Sequence, residues 1–149
     1  MSADGMSARW QLPLLAAAQM QKEITHNEAL TLIDALIAPV VEANGVNTPP
    51  TAPQPGQCWL VGSAPTGVWA GAARAMACWT AGGWRIIVPR TGMTVRHVAG
   101  AVLRYDGSVW RAPPGVAGPV GGTIVDGEAR AALTAVLSAL RDQGWLEQI

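Results

Sequence analysis

The sequence predicts an α+β fold: a small antiparallel β barrel or sandwich of short tryptophan-rich hairpins, with a helical segment before it and a helix after it. Three observations predict it. From Cys58 to Arg111, short apolar runs alternate with Gly or Pro about every ten residues, as antiparallel hairpins require. A glycine turn is repeatedly joined to a tryptophan. The cases are Gly67-Val68-Trp69, Trp79-Thr80-Ala81-Gly82-Gly83-Trp84-Arg85 and Tyr105-Asp106-Gly107-Ser108-Val109-Trp110-Arg111. The last two share an outline of an aromatic, a glycine turn and Trp-Arg. Lastly, apolar residues recur at helical spacing near both ends.

The elements follow in order. Residues 1–9 read as a loose start. Trp10 to Leu15 is apolar and broken by Pro13, so it runs extended and packs onto something. A short helix is expected from Ala16 to Lys22. Thr25-His26-Asn27-Glu28 has the form of a capping box, which starts a helix with Ala29, Leu30, Ile33, Leu36 and Ile37 on one apolar face. Pro39 stops or kinks it. Val40-Val41-Glu42 suggests a short strand. Pro49, Pro50, Pro53 and Pro55 then make an extended loop.

Strands are expected at Cys58–Val61, Ala75–Thr80, Trp84–Val88, Thr94–Val98, Val102–Tyr105 and Val109–Arg111. Ala81-Gly82-Gly83 and Asp106-Gly107-Ser108 are tight-turn sequences. Asp126 caps a final helix with Leu133, Val136, Leu137 and Leu140 as its stripe, and Gly144 ends it. Trp145, Leu146 and Ile149 extend that apolar surface. The organisation is therefore an arm over 1–45, a Pro-rich loop over 46–57, a β-domain over 58–112, a linker over 113–125 and a C-terminal helix over 126–149.

Half of the 149 residues are hydrophobic and only 13% are charged, with ten acids balancing ten bases. A charged share near 25% is usual, so surface buried by partners is expected. The balance argues against nucleic acid, which selects a basic face. No apolar run reaches the roughly 20 residues of a membrane span, so no membrane insertion is expected. Met1 to Arg9 lacks a charged stretch followed by an apolar one, so no signal peptide is expected.

Cys58 and Cys78 lie in apolar strand-like runs and read as two buried thiols, with a disulfide as the alternative. With only His26 and His97 beside them, no metal site and no cofactor are expected. The Gln19 to Glu28 cluster is polar, but Glu23, His26 and Glu28 lack the i, i+4 pairing of helical metal ligands. It reads as structural or as a subunit contact. No nucleophile with a base, phosphate-cradling glycine loop or paired-carboxylate cleft is legible, so no catalytic residues are assigned and the protein is expected not to be an enzyme.

Seven tryptophans beside one tyrosine and no phenylalanine make the indoles the main question. Trp59, Trp69, Trp79 and Trp84 read first as strand-packing core. Alternation sets Trp79 opposite Cys78 and Thr80, and puts Trp84 and Ile86 on one face. Exposed indoles beside Arg, Asp or Asn are also what a glycan site needs. Trp110 ends its strand next to Arg111 and Pro113 and is expected to be the more exposed. The glycan candidates are Trp110, Tyr105, Asp106, Arg111 and Trp69.

The stretch from Leu12 to Leu36, Thr66-Gly67-Val68-Trp69-Ala70-Gly71, Gly82-Gly83-Trp84, Pro89-Arg90-Thr91-Gly92 and Tyr105–Trp110 together resemble an uncharacterised domain family. It occurs in prophage-like and gene-transfer-agent particle proteins of alphaproteobacteria. The resemblance runs from about Trp10 to Trp110. Ala139 to Leu146 resembles helical ends of phage structural proteins. The resemblance implies a particle component such as a tail fibre or head spike, engaged in host adsorption. The family has no established catalytic residues.

Two functions are expected on this basis. The first is a spike or fibre component that binds host cell-surface polysaccharide through several weak copies. The alternative is a structural connector joining capsid or tail to another fibre protein. The chain holds little beyond the family domain, so a small spike, tip or connector is expected. Its place is the virion or particle surface, after assembly in the cytoplasm. Its partners are other particle proteins and copies of itself, a trimer being favoured by analogy with receptor-binding fibres. Leu133, Val136, Leu137 and Leu140 are the expected oligomer contact.

Overall fold

The structure, a computed structural model, describes residues 5–16, 22–122 and 126–147. The short helix expected between Ala16 and Lys22 falls mainly on residues outside this set, as does Ile149.

Helix α1, Lys22–Leu36, starts before Thr25. Thr25 is therefore inside the helix, and the expected capping box does not form. Ala38 takes a φ of 43°, and Pro39 bars continuation.

The expected apolar face of α1 is turned outward. Asp34 and Ala35 are its buried residues, whereas Ile33, Leu36 and Ile37 are 46%, 43% and 42% exposed. The reason is a strap, residues 5–16, that reverses at Gln11 (φ 55°) and lies along the polar face. Asp34 accepts from Ser7 Oγ at 2.5 Å, from the Arg9 N–H at 3.0 Å and from the Trp10 N–H at 2.7 Å. Asn27, two turns earlier on the same face, binds both backbone groups of Leu15 at 2.8 and 2.9 Å. The Arg9 guanidinium donates to the carbonyls of Asp34, Ala35, Ile37 and Ala38. These include acceptors that the end of a helix leaves without intrahelical partners. Burial lowers the Arg9 pKa, and the Asp34 charge works against that shift.

Eight short strands follow: β1 Val40–Val41, β2 Asn44–Val46, β3 Cys58–Val61, β4 Met76–Thr80, β5 Gly83–Ile87, β6 Thr94–His97, β7 Val102–Tyr105 and β8 Trp110–Arg111. They form two four-stranded sheets, ordered β1-β6-β7-β8 and β2-β3-β4-β5. The architecture is α+β. Among the described residues the strands do not close into a barrel. Two pairings, β1 with β6 and β2 with β3, are parallel rather than antiparallel.

Both parallel pairings come from one segment, residues 39–46, which bonds to each sheet in turn. The Pro39 and Val41 carbonyls accept from Arg96 and Val98, while the Glu42 N–H donates to Cys58 and the Ala43 carbonyl accepts from Leu60. Each sheet is therefore one short strand laid beside a three-stranded meander. The repeated sequence outline falls on equivalent hairpins. Trp79 pairs with Trp84 in β4–β5, and Tyr105 pairs with Trp110 in β7–β8.

Val41, Leu60, Met76, Val95, Leu103 and Trp110 lie in one core to which both sheets contribute. Alternation sends Trp59, Val61 and Ala77 to the other face of the second sheet, where Trp69 covers them and Trp79 and Trp84 pack. All four residues of β3 are therefore buried. Gly67–Trp69 is a 3-10 turn rather than a strand. It drops Trp69 against Trp59 and Trp84, at ring-centroid distances of 6.5 and 4.9 Å.

Cys58 and Cys78 are not free thiols but a disulfide. They sit opposite each other in register. The neighbouring Trp79 N–H bonds to the Gln57 carbonyl, which makes 58/78 a non-hydrogen-bonded pair, where strands approach most closely.

Helix α2, Gly127–Asp142, begins as expected, with Asp126 accepting from the Ala129 N–H. Gly144 (φ 76°) ends it and is wedged against the β6–β7 turn, its carbonyl accepting from the Val102 N–H at 3.0 Å. Among the described residues no helix is long and apolar enough to cross a membrane.

Candidate functional site

The hairpin β7–β8 brings together four of the five glycan candidates. Asp106 Oδ1 accepts from the Ser108 and Val109 N–H groups, both at 2.8 Å, which closes the turn. Asp106 Oδ2 accepts from Arg111 Nε at 2.7 Å. The Val109 and Ser108 bonds, then Arg111, lower the Asp106 pKa from 3.8 to about 2. Tyr105 is half-buried and leans on Trp110, with ring centroids 5.3 Å apart.

Trp110 is not exposed. It is buried in the shared core, and its Nε1 donates to the Arg74 carbonyl at 2.8 Å. A carbonyl 36 residues away recruits this indole inward, and no local pattern shows it. Trp69 is fully buried beyond the other sheet, so the structure does not bring it to the other four. Trp10 and Trp145, outside the repeats, are the exposed indoles, at 50% and 59%.

A second concavity was not legible in the sequence. A cavity of about 290 Å³ opens between the strap, α1 and the β4–β5 hairpin. Ile24, Ala35, Trp79 and the disulfide line it, and the Glu28–Arg85 pair forms one wall. Arg85 Nη2 donates to Glu28 Oε2 at 2.9 Å, and its Nε donates to Oε1. That hydrogen bonding raises the Arg85 pKa against the opposing effect of burial, and the Glu28 charge adds to the rise.

The charged, amide and hydroxyl side chains that line the cavity have internal partners. Ser7 and Arg9 are held by Asp34 and the helix end, Asn27 by Leu15, Glu28 by Arg85, Thr31 by the Asn27 carbonyl and Thr80 by Gly83. A sugar brings several hydroxyls that need partners. This cavity offers an apolar surface instead.

Of the polar cluster from Gln19 to Glu28, Asn27 binds the strap and Glu28 binds Arg85, while Gln19 and Gln21 lie outside the described residues. His26 is exposed, and His97 Nδ1 accepts from the Ala99 N–H in the β6–β7 turn. Among the described residues no group of three or more His, Cys, Asp or Glu is placed to hold a metal. On α2, Leu133, Val136 and Leu140 are exposed and Leu137 is half-buried.

A family profile described as a protein of unknown function, DUF2793, matches residues 26–111, more than half of the chain. The chain belongs to the DUF2793 family. The DUF2793 region runs from within α1 to the last residue of β8, so it holds both hairpin repeats and leaves the strap and α2 outside. No curated protein matches this DUF2793 chain.

Proposed function

We propose that this DUF2793 protein is a non-enzymatic structural component of a phage-like particle, acting as a homo-oligomeric connector between capsid or tail and a fibre protein. The observation that carries the reading is where the indoles go. Trp59, Trp69 and Trp110 are buried inside the chain, so the turn-Trp repeats hold the fold together rather than present flat faces. Exposed apolar residues include Ile33 and Leu36 on α1, Leu133, Val136 and Leu140 on α2, and Trp10 and Trp145, beside scattered valines such as Val68 and Val88. Such surface suits protein contact. The particle setting rests on the resemblance of the motifs, and the trimer on analogy with fibres. On the fold we read the two sheets as a small sandwich, because one core draws residues from both.

A disulfide persists in oxidising surroundings, and the outside of a particle released from the cell is such a place. This supports a surface location after assembly in the cytoplasm.

The second reading is adhesion to host polysaccharide. Its supporting observation is the exposed Asp106–Arg111 pair beside half-buried Tyr105. One experiment separates the two. Purified protein is mixed with capsulated and acapsular cells, and separately with isolated particles stripped of this chain. Retention on particles with negligible binding to both cell types supports the connector. Capsule-dependent binding that Tyr105→Ala and Arg111→Ala abolish replaces it with adhesion.

A further inference from the structure

The outer face of the β1-β6-β7-β8 sheet carries two rows of side chains set by the strand register. Thr94, Arg104 and Arg111 make one row, and Val40, Arg96 and Val102 make the other. Their neighbours along the strands, Val41, Val95, Leu103 and Trp110, alternate inward and are buried. Val102 is half-buried and the other five are exposed. Trp145 is exposed beside the second row, and a groove of about 320 Å³ runs between it, Pro39, Val40, Arg96 and Val102. Neither row contains a carboxylate. Asp106, at the rim, accepts from Arg111 Nε. Arg96 Nη1 donates to the carbonyls of Gly100 and Gln143, which leave its charge uncompensated. The Arg104 guanidinium has no hydrogen bond or ion pair among the described residues.

This concentration of cations belongs to a chain with no net charge, and it does not serve the fold. Arg104 stands directly opposite Arg111, and like charges so placed weaken a sheet. An anion laid across the row removes that cost. We propose that this face docks an acidic peptide segment of the partner protein, with apolar residues between its carboxylates. A guanidinium only donates and a carboxylate only accepts, so each satisfies the other, in a two-bonded fork where the geometry allows. Val40, Val102 and the Trp145 indole give the segment's apolar side chains a surface beside the arginines. A neutral sugar fits less well. Its hydroxyls donate as well as accept, and Thr94 Oγ is the one side-chain acceptor in the two rows. The inference rests on the connector reading, whose partner it describes.

The test uses the full chain with its disulfide intact and follows the Arg Nε–H and Trp indole N–H signals by NMR. The probe is a capped peptide of repeated Glu-Leu-Glu-Pro. It should shift the signals of Arg96, Arg104, Arg111 and Trp145 saturably, and less so as salt is raised. The same peptide with Gln in place of Glu should shift none of them. Arg104→Gln, at an exposed position, should keep the parent's remaining spectrum and weaken binding by roughly 10-fold. Trp145→Ala should weaken it by roughly 3- to 10-fold. Lys22→Gln makes the same charge change at the opposite end of α1 from Leu36 and should leave binding as it was.

No saturable shift with the Glu peptide would overturn the inference. So would equal losses in Arg104→Gln and Lys22→Gln, which would reduce the effect to overall charge. Polygalacturonate that shifts the same signals at lower concentration than the peptide would overturn it in favour of an acidic glycan. Retention of Arg104→Gln on stripped particles as strong as the parent's removes this face and leaves the connector standing. Peptide binding at the face by a chain that particles ignore does the reverse.

Discussion

Glu28 of α1 and Arg85 of β5, 57 residues apart in the chain, meet as a two-bonded ion pair that ties the helix to the hairpin β4–β5. Arg111 stands at the equivalent place in the second hairpin, yet it binds Asp106 of its own turn. One repeat uses its arginine to hold a helix, and the other closes on itself. The Glu28 and Arg85 side chains are 41% and 29% exposed, so solvent screens the pair. A double-mutant cycle with Glu28→Gln and Arg85→Met is expected to give a coupling of about 1 kcal/mol. A coupling indistinguishable from zero in urea unfolding would show the pair to be incidental.

Asp34 carries more. It is buried and accepts from Ser7, Arg9 and Trp10. Asp34→Ala strands two backbone N–H groups and a hydroxyl that donate to it, at a cost of about 3 kcal/mol. Hydrogen exchange at the Arg9 and Trp10 amides should quicken most if the strap detaches first. Uniform quickening across the sheets would mean that the strap and the body unfold as one unit.

These two sites show why the sequence was legible for the sheets and not for the helix. Glycine turns beside paired aromatics are local signals. They place β4, β5, β7 and β8 within one or two residues of their observed bounds. The outward turn of Ile33 and Ile37 depends on Ser7 and Arg9, more than 20 residues upstream, and apolar spacing carries no trace of them. Strand β2 is three residues long and contains a glycine, which gives periodicity nothing to register. The inward turn of Trp110 hangs on one backbone carbonyl, and the α1 cavity on the strap. Neither could be read before the chain was folded.

Asp106 sets an acid dependence. Its pKa is lowered from 3.8 to about 2 in the folded chain. A depressed carboxyl contributes stability that is present above its unfolded value and is lost as pH falls through the folded one. The loss should therefore occupy the window from about pH 4 down to about pH 2. A carboxyl-carbon NMR titration should place the Asp106 midpoint near the lower end. Asp106→Asn should flatten that part of the stability profile. A midpoint near 4 would mean that the turn bonds are not held in solution.

The disulfide closes a loop with a sequence separation of 20. Reduction, or Cys58→Ala with Cys78→Ala, should cost about 3 kcal/mol. Both cysteines are nearly inaccessible, so the native protein should resist a mild thiol reductant and yield only as it unfolds. Mass spectrometry after alkylation, with and without urea, distinguishes these states. Full alkylation of the folded protein without a reductant would show that the bridge does not form.

Gly144 holds the far end of α2. A Cβ there would stand 2.2 Å from the Gly100 carbonyl oxygen, and the residue's φ is 76°. Gly144→Ala must therefore break both the close approach and the preferred backbone region. The damage should stay local, because α2 contributes no buried residue to the core. The urea midpoint of the sheets should move little, while the exposed stretch 112–122 is cleaved faster by a protease of broad specificity. A Gly144→Ala protein with unchanged cleavage would mean that the wedge against the β6–β7 turn is dispensable and that the bonds from Arg130 and Arg141 to linker carbonyls alone hold the helix in place.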